Sequence, residues 1–354
     1  MRKHMASFEI DCTAYLNADG APLGDLPDFA GDTETVVALY RAMVRTRAFD
    51  TKAIALQRTG RLGTYASCLG QEAIGVGAAS AMEPGDVLLP SFREHAAQLR
   101  RGVTPVESLL YWGGDERGSD FAGPRNDFPV CIPVASQFPH AAGVALAMSL
   151  NREKAVAVAI GGDGSTSKGE FYEALNLVGL WTLPAVFVIN NNQWAISVRR
   201  REQSAAKTLA QKAIAAGMPG EQADGNDVIA VRDAVSRALA RAREGAGGTL
   251  IECLSYRLGD HTTADDARRY REDEEVKAHW KEEPIARLRA WLVAEHGWSK
   301  TDEESLLRGA ADEMDAAAEA YLATEPEQAA SMFDHLYETL PGDLTTQRAE
   351  VSDG

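Results

Sequence analysis

The stretch AVAVAIGGDGSTSKGEF, residues 155–171, joins an apolar run to a glycine-rich turn. Six aliphatic residues in a row indicate a strand that is covered on both faces, as parallel strands in α/β proteins are. Two glycines, Asp163, a third glycine and several small hydroxyl residues follow directly. A turn of this composition lets backbone N–H groups come close to a phosphate at the start of a helix. The sequence therefore predicts a phosphate site at the end of this strand.

The two best-known nucleotide loops do not match this turn. A P-loop requires G-x-x-x-x-G-K-[ST], but Glu170 and Phe171 follow Gly169. The dinucleotide pattern G-x-G-x-x-G also fails, because Ser167 occupies the position of the third glycine. Asp163 would repel a bare diphosphate, so we expect a cation to lie between them.

The segment INNNQWAIS, residues 189–197, ends the next predicted strand and supplies the second half of the pattern. Asp163 and Asn192 are 29 residues apart, which fits one helix, one strand and their turns. A right-handed crossover places both residues at the carboxyl ends of adjacent parallel strands, where open α/β sheets bind ligands. Carboxylate, amide and carbonyl oxygens suit Mg²⁺. A simple tight turn and a helix cap are the alternative, which this spacing disfavours.

The remaining pattern predicts the α/β class, with a mainly parallel sheet and helices on both of its faces. Apolar runs typical of buried strands alternate with helical segments from Phe138 onward. The predicted organisation is an extended N-terminal arm (1–34), an α/β domain (35–283) and a helical C-terminal lobe with an acidic tail (284–354).

The charge, the apolar runs and the cysteine spacing of the chain argue against several classes of partner. The 354 residues carry a formal net charge of −16, which argues against nonspecific binding to nucleic acid. The start, MRKHMASFEIDC, lacks the apolar core of a signal peptide, and the longest apolar runs are too short to cross a bilayer. The four cysteines show no metal-binding spacing. We therefore expect a cytoplasmic protein without nucleic-acid or membrane partners.

Several motifs together resemble a known family. GDG and NN, separated by 26 residues, resemble the thiamine diphosphate motif. Five further stretches run in the order found in the alpha subunit of the first, decarboxylating component of 2-oxo acid dehydrogenase complexes. They are GRLGTYASCLGQEAIGVG (60–77), FREH (92–95), PVASQFPHAAGVAL (133–146), AKTLAQKAIAAGMPG (206–220) and YRLGDHTTADDARRYR (256–271). The resemblance implies a thiamine diphosphate-binding fold, with thiamine diphosphate and Mg²⁺ as cofactors.

The resemblance also assigns residues to the cofactor. It implies that Asp163, Asn192 and the backbone oxygen of Trp194 bind Mg²⁺, and that Gly164 and Ser165 donate backbone N–H groups to the diphosphate. Arg93 would pair with the diphosphate, since its charge is permanent. Phe92 stands where the family often has tyrosine, so a phenol contact to phosphate is absent. The backbone of Ile132 and Val134 would hold the aminopyrimidine ring, and the Val134 side chain would bend the cofactor.

His261 is the predicted catalytic side chain, since the matching family loop uses this histidine in acyl transfer to a lipoyl group. Its near-neutral pKa suits proton transfer. Arg257 would support the loop, and we expect Asp260 to raise the pKa of His261. The predicted substrate-pocket residues are Tyr65, Ser67, Leu69 and His95.

The chain leaves no room for a second, pyrimidine-binding sheet, so the resemblance implies half of an active site. A separate beta subunit would supply the missing glutamate in an assembly of two alpha and two beta subunits, and a lipoyl-bearing acyltransferase would accept the acyl group. Pyruvate is the leading substrate, with branched-chain 2-oxo acids (2-oxoisovalerate) or acetoin as alternatives. A nucleotide-dependent oxidoreductase or NTPase and a noncatalytic paralogue remain alternatives from other classes.

Overall fold

The computed structural model describes residues 1–352, which contain one six-stranded sheet and a short hairpin. The sheet consists of β1 (Cys12–Thr13), β2 (Val87–Leu89), β3 (Ala157–Gly162), β4 (Ala185–Asn191), β7 (Gly220–Asp224) and β8 (Thr249–Leu254). The hairpin consists of β5 (Trp194–Ala195) and β6 (Val198–Arg199). The strand order in the sheet is β1-β7-β8-β4-β3-β2, and every neighbouring pair is parallel. The prediction of a mainly parallel sheet is confirmed.

Helices connect and cover these strands. They are α1 (Thr33–Arg58), α2 (Glu72–Ala81), α3 (His95–Arg101), α4 (Pro105–Gly113), α5 (Gln137–Asn151), α6 (Gly169–Trp181), α7 (Arg200–Gln203), α8 (Val228–Arg243), α9 (Asp273–His279), α10 (Pro284–Glu295), α11 (Lys300–Leu322) and α12 (Gly342–Ser352). Helix α1 begins after Asp32, whose carboxylate accepts hydrogen bonds from the backbone N–H groups of Glu34 and Thr35.

Both faces of the sheet are buried. On one face Phe138, Phe171 and Phe187 belong to a cluster formed by α5, α6 and the strands. On the other face Val188 packs with residues of α2 and α8, among them Val231. Apolar burial on both sides explains the continuous apolar runs AVAVAI in and before β3 and AVFVI in β4, whereas β8 includes the buried Glu252.

The two ends of the chain pack onto the sheet domain. Strand β1 adds to the sheet edge beside β7, and the Asp227 carboxylate accepts hydrogen bonds from the backbone of Tyr15 (2.8 Å) and Leu16 (2.7 Å). Leu16 also shares a core cluster with Tyr40 of α1 and Trp291 of α10. The division of the chain at residues 34 and 283 stays a prediction. None of the helices within 1–352 has both the length and the apolar character needed to cross a membrane.

Candidate active site

The ends of strands β3 and β4 meet as the sequence spacing predicts. Gly162 lies opposite Asn190 in the parallel register, so Asp163 and Asn192 leave adjacent strands at the same sheet edge. A cavity of about 230 Å³ opens there. Nine of the predicted cofactor residues line it: Phe92, Arg93, Val134, Asp163, Gly164, Ser165, Asn192, Trp194 and His261. The fold thus brings together residues from five separate segments of the chain.

Asp163 is a buried carboxylate on one side of this cavity. Its side chain accepts a hydrogen bond from Gln203 Nε2 at 3.2 Å, and burial raises its pKa to about 6. Over residues 1–352 it forms no ion pair with lysine, arginine or histidine. A buried carboxylate without a cationic partner is unfavourable unless a cation binds beside it.

The oxygen atoms near Asp163 complete a donor set for a hard cation. The Asn192 Oδ1 atom accepts a hydrogen bond from the backbone N–H of Trp194 at 3.2 Å, and the Asn192 Nδ2 atom donates to Gln71 Oε1 at 2.7 Å. In the part of the chain that the structure describes, no three His, Cys, Asp or Glu side chains cluster as a metal site would require. A metal here would depend on amide, backbone and phosphate oxygens in addition to Asp163.

The turn after β3 is a 3₁₀ helix from Asp163 to Ser167, and close packing requires its glycine. A Cβ atom on Gly164 would lie 2.7 Å from the Cβ atom of Ala195 in the hairpin. The same position on Gly162 is open, with no atom within 4 Å. Gly164 therefore lets the turn and the hairpin enclose the cavity together.

Two buried arginines lie at the cavity: Arg93 lines it and Arg257 lies behind its lining. Arg93 Nη2 donates to the backbone oxygen of His261 at 2.8 Å, and its Nη1 donates to the backbone oxygen of Ser67. Arg257 does not line the cavity itself; its Nη2 donates to the Ile196 backbone oxygen and to the Tyr270 hydroxyl, both at 2.8 Å. Burial and the charge of Arg257 lower the pKa of Arg93 to about 10.

The charges fit a metal-bound diphosphate. Neither Arg93 nor Arg257 has a carboxylate partner among the ion pairs of residues 1–352, and both are buried. The Asp163 carboxylate, which also forms no ion pair within residues 1–352, lines the same cavity as Arg93. A diphosphate would offset the charge of the arginines, and its metal ion would offset the charge of Asp163.

His261 lies between the two arginines. Its Nδ1 atom is 3.1 Å from Arg93 Nη2 and 3.4 Å from Arg257 Nη1. Because guanidinium groups can only donate, Nδ1 accepts and the ring proton sits on Nε2. Burial and the two positive charges lower the pKa of His261 to about 4. The prediction that Asp260 raises this pKa is wrong, because the Asp260 carboxylate instead accepts a hydrogen bond from the Ala267 backbone at 3.0 Å.

Comparison with known proteins agrees with this geometry. Residues 40–329 match the family described as "Dehydrogenase E1 component". The chain belongs to this family. The "3-methyl-2-oxobutanoate dehydrogenase subunit alpha" of Mycobacterium tuberculosis is 42% identical over 85% of this chain and 83% of its own length. The "Pyruvate dehydrogenase E1 component subunit alpha" is 40% identical in Staphylococcus aureus, over 94% of this chain and 88% of the relative. Its Mycoplasma genitalium counterpart is 39% identical, over 87% and 86%.

These findings confirm the resemblance, the α/β fold and an enzyme of the 2-oxo acid dehydrogenase type. Membership of the E1 family implies thiamine diphosphate as cofactor. The roles assigned to single residues in the cavity remain predictions, which the geometry described above supports.

The loop from Cys131 to Ala135 forms an open wall of the E1 cavity. The backbone of Cys131 forms an isolated parallel β-bridge with Ser91, which follows β2. Val134 lines the cavity. The Ile132 side chain does not line it; Ile132 and Val134 are 51% and 49% exposed, respectively. Sequence reasoning predicts backbone contacts from both residues to a pyrimidine ring, and these contacts stay predictions.

The predicted substrate-pocket residues Tyr65, Ser67, Leu69 and His95 do not line this cavity, and their role stays a prediction. Tyr65, Ser67 and His95 are buried one layer behind Arg93. The Asp50 carboxylate accepts hydrogen bonds from the Tyr65 hydroxyl at 2.8 Å and from Ser67 Oγ at 2.6 Å, and His95 stacks on the Tyr65 ring. Leu69 packs against Trp194, Tyr256 and Leu258 instead of lining the cavity.

Sequence reasoning missed several residues around the cavity. Glu94 lines it as a buried carboxyl whose pKa burial raises to about 7, and its Oε1 atom accepts a hydrogen bond from Ser91 Oγ at 2.8 Å. Gln137 also lines the cavity, and Gln71 and Gln203 contact the predicted metal ligands from outside. The sequence offers one indication of these residues. The segments GQEA (70–73) and FREH (92–95) place polar residues among apolar or aromatic neighbours, which is typical of buried polar groups.

Proposed function

We propose that this chain is the alpha subunit of a 2-oxo acid dehydrogenase E1 enzyme and that its cavity binds thiamine diphosphate with Mg²⁺. The observation that carries the proposal is that two buried groups of opposite charge, the Asp163 carboxylate and the Arg93 guanidinium, line one cavity without an ion pair to any residue of 1–352. Asp163, Asn192 and the Trp194 backbone oxygen would bind the metal. Arg93 and the backbone of Gly164 and Ser165 would bind phosphate oxygens.

Thiamine diphosphate, when bound, supplies the electron sink that makes loss of carbon dioxide from a 2-oxo acid possible. The protein's part is to bind, orient and exclude water. His261 would hold a proton at Nε2, facing the cavity that its ring lines, with Nδ1 fixed by Arg93 and Arg257. Arg257 acts through His261 and positions it. The Trp194–Ile196 hairpin residues and Val134 would shield the reacting centre from solvent.

The proposed active enzyme includes a beta subunit. The relatives are named as alpha subunits, and the half-exposed Ile132 and Val134 leave one cavity wall for another chain to cover. We propose an assembly of two alpha and two beta subunits, with the beta subunit supplying a glutamate to the pyrimidine ring. A lipoyl-bearing acyltransferase would take up the acyl group, and the cytoplasm is the proposed location.

Pyruvate is the substrate that we propose first, and 3-methyl-2-oxobutanoate is the second candidate. The second is favoured by the Mycobacterium tuberculosis relative, whose 42% identity slightly exceeds the 39–40% of relatives named for pyruvate. Side-by-side assays of the chain with its beta subunit test the choice, by carbon dioxide release from pyruvate and 3-methyl-2-oxobutanoate and by carbon–carbon cleavage of acetoin, which has no carboxylate to lose. Preference for the branched acid would overturn the pyruvate assignment, and turnover of acetoin alone would overturn both.

A further inference from the structure

The amide group of Asn192 is held from outside the cavity by Gln71, and we infer that Gln71 is a positioning residue for the metal-binding oxygen of Asn192. Gln71 is 2% exposed, precedes α2 and does not line the cavity. The inference rests on the proposed function, because Asn192 acts as a ligand only when a metal binds there.

The hydrogen bonds decide which end of each amide points where. The backbone N–H of Trp194 can only donate, so the Asn192 atom 3.2 Å from it is the oxygen, Oδ1. Asn192 Nδ2 must then donate, and its partner at 2.7 Å is Gln71 Oε1. With the nitrogen occupied by Gln71, the carbonyl oxygen is the end of Asn192 that remains for a cation.

Gln71 itself is fixed in one orientation. Its Oε1 atom accepts a second hydrogen bond, from Asn190 Nδ2 at 3.0 Å, and the Asn190 oxygen accepts from Ser255 Oγ at 2.8 Å. Rotation of the Gln71 amide would place its NH₂ group against two other NH₂ groups. Within residues 1–352, Gln71 Nε2 is buried with no hydrogen-bond partner. The unpaired Gln71 Nε2 donor costs free energy. We therefore attribute the role of Gln71 to its oxygen, which accepts both hydrogen bonds.

Loss of this acceptor would free the Asn192 amide to rotate. The rotated group would present N–H donors to the cation, which repel it. Residues that orient metal ligands from behind typically change metal affinity by about 10–100-fold when they are replaced. Gln71→Met removes the acceptor at nearly constant size and should weaken metal binding in that range. Gln71→Glu keeps an oxygen for both asparagines and should bind metal no more weakly than the unaltered chain.

The test uses the full chain assembled with its beta subunit, thiamine diphosphate, and Mn²⁺ as the probe. The free Mn²⁺ signal in electron paramagnetic resonance gives the dissociation constant. Gln98→Met is the matched control, because it makes the same substitution at another buried glutamine, in α3, which does not line the cavity and forms no hydrogen bond with Gln71 or Asn192 within residues 1–352. The control should bind Mn²⁺ as the unaltered protein does. If Gln71→Met fails to fold, Gln71→Asn replaces it, because its shorter side chain cannot reach both asparagines.

The outcomes separate this inference from the proposed function. Equal Mn²⁺ affinity in the Gln71→Met and unaltered proteins would overturn the role of Gln71 and leave the metal site standing. A purely structural Gln71 would lower thermal stability in the Met and Glu variants without separating their Mn²⁺ affinities, which also overturns the inference. If the unaltered assembly binds no Mn²⁺ with thiamine diphosphate, the proposed metal site fails, and the role of Gln71 with it.

Discussion

The Nδ1 atom of His261 lies 3.1 Å from the Nη2 atom of Arg93, so a histidine from the loop after β8 faces a guanidinium from the loop after β2. Arg257 approaches the same Nδ1 atom at 3.4 Å. Two fixed positive charges keep the imidazole neutral and its proton on Nε2. The two arginines therefore set the tautomer of the proposed catalytic side chain and add to the effect of burial in lowering its pKa.

The free chain should contain a neutral His261 over most of the accessible pH range. Burial first, and then Arg93 and Arg257, lower its pKa to about 4, below the ordinary value of 6.5. The unfolded chain binds this proton at higher pH than the folded chain. The contribution of His261 to stability is thus fully present above pH 6.5 and is lost as the pH falls from 6.5 to about 4. Nuclear magnetic resonance titration of the ring measures the pKa directly.

Arg257→Met removes one of the two charges and should raise the pKa of His261 toward its ordinary value. Arg257→Lys keeps the charge and serves as the control, with a smaller change. An unchanged pKa in Arg257→Met would show that burial alone sets the acidity of this ring.

Asp163→Asn should abolish the stabilisation of the assembled enzyme by thiamine diphosphate and Mg²⁺. The substitution keeps the size of the side chain and removes the charge that the cation needs. At about 100 times its dissociation constant, a bound cofactor adds about 2.7 kcal/mol to the free energy of unfolding of the unaltered protein. Thermal unfolding with and without cofactor measures this gain. Glu170→Gln alters an exposed carboxylate nearby and should keep the full gain; retention of the gain in Asp163→Asn would argue against metal binding here.

Sequence reasoning predicts those parts of the site whose structure depends on local patterns. Aliphatic runs predict the strands, and the spacing from Asp163 to Asn192 predicts two adjacent strand ends, which the register confirms. Prediction from chain neighbours fails at His261, because the adjacent Asp260 contacts the Ala267 backbone while Arg93, 168 residues away, approaches the ring. Distant contacts of this kind depend on how loops pack.

The same limit applies to residues that act from behind the cavity. Tyr65 and His95 are predicted substrate-pocket residues, but their side chains do not line the cavity: Tyr65 donates to Asp50, and His95 stacks on Tyr65. Gln71 and Gln203 have no pattern that links them to Asn192 and Asp163, which lie 121 and 40 residues away in sequence. Side-chain direction, rather than position in the chain, decides which residues reach the cavity.

The Arg47–Glu72 pair outside the cavity should be sensitive to loss of either partner alone, because Glu72 is fully buried. The Glu72 carboxylate is fully buried and accepts a hydrogen bond from Arg47 Nε, while Arg47 Nη2 also lies 3.2 Å from Glu283. Arg47→Leu leaves a buried carboxylate without its partner and should cost about 3–5 kcal/mol in the free energy of unfolding. The double variant with Glu72→Leu removes both charges and should cost less than Arg47→Leu alone. Urea unfolding of four proteins (unaltered, Arg47→Leu, Glu72→Leu and the double variant) measures the coupling, and strictly additive losses would contradict a paired role.

Gly164 and Gly162 form a matched pair for testing how tightly the turn encloses the cavity. A Cβ atom on Gly164 would lie 2.7 Å from Ala195 Cβ, so Gly164→Ala must push the hairpin away from the turn. Such overpacking typically costs about 1–3 kcal/mol. The displaced hairpin carries Trp194 and Ile196 of the cavity wall, so cofactor affinity should fall together with stability.

Gly162 has extended backbone angles and open space, so Gly162→Ala should be tolerated. Calorimetric titration with thiamine diphosphate and thermal unfolding compare the two variants, and equal behaviour would show that the turn and the hairpin are not in tight contact in solution.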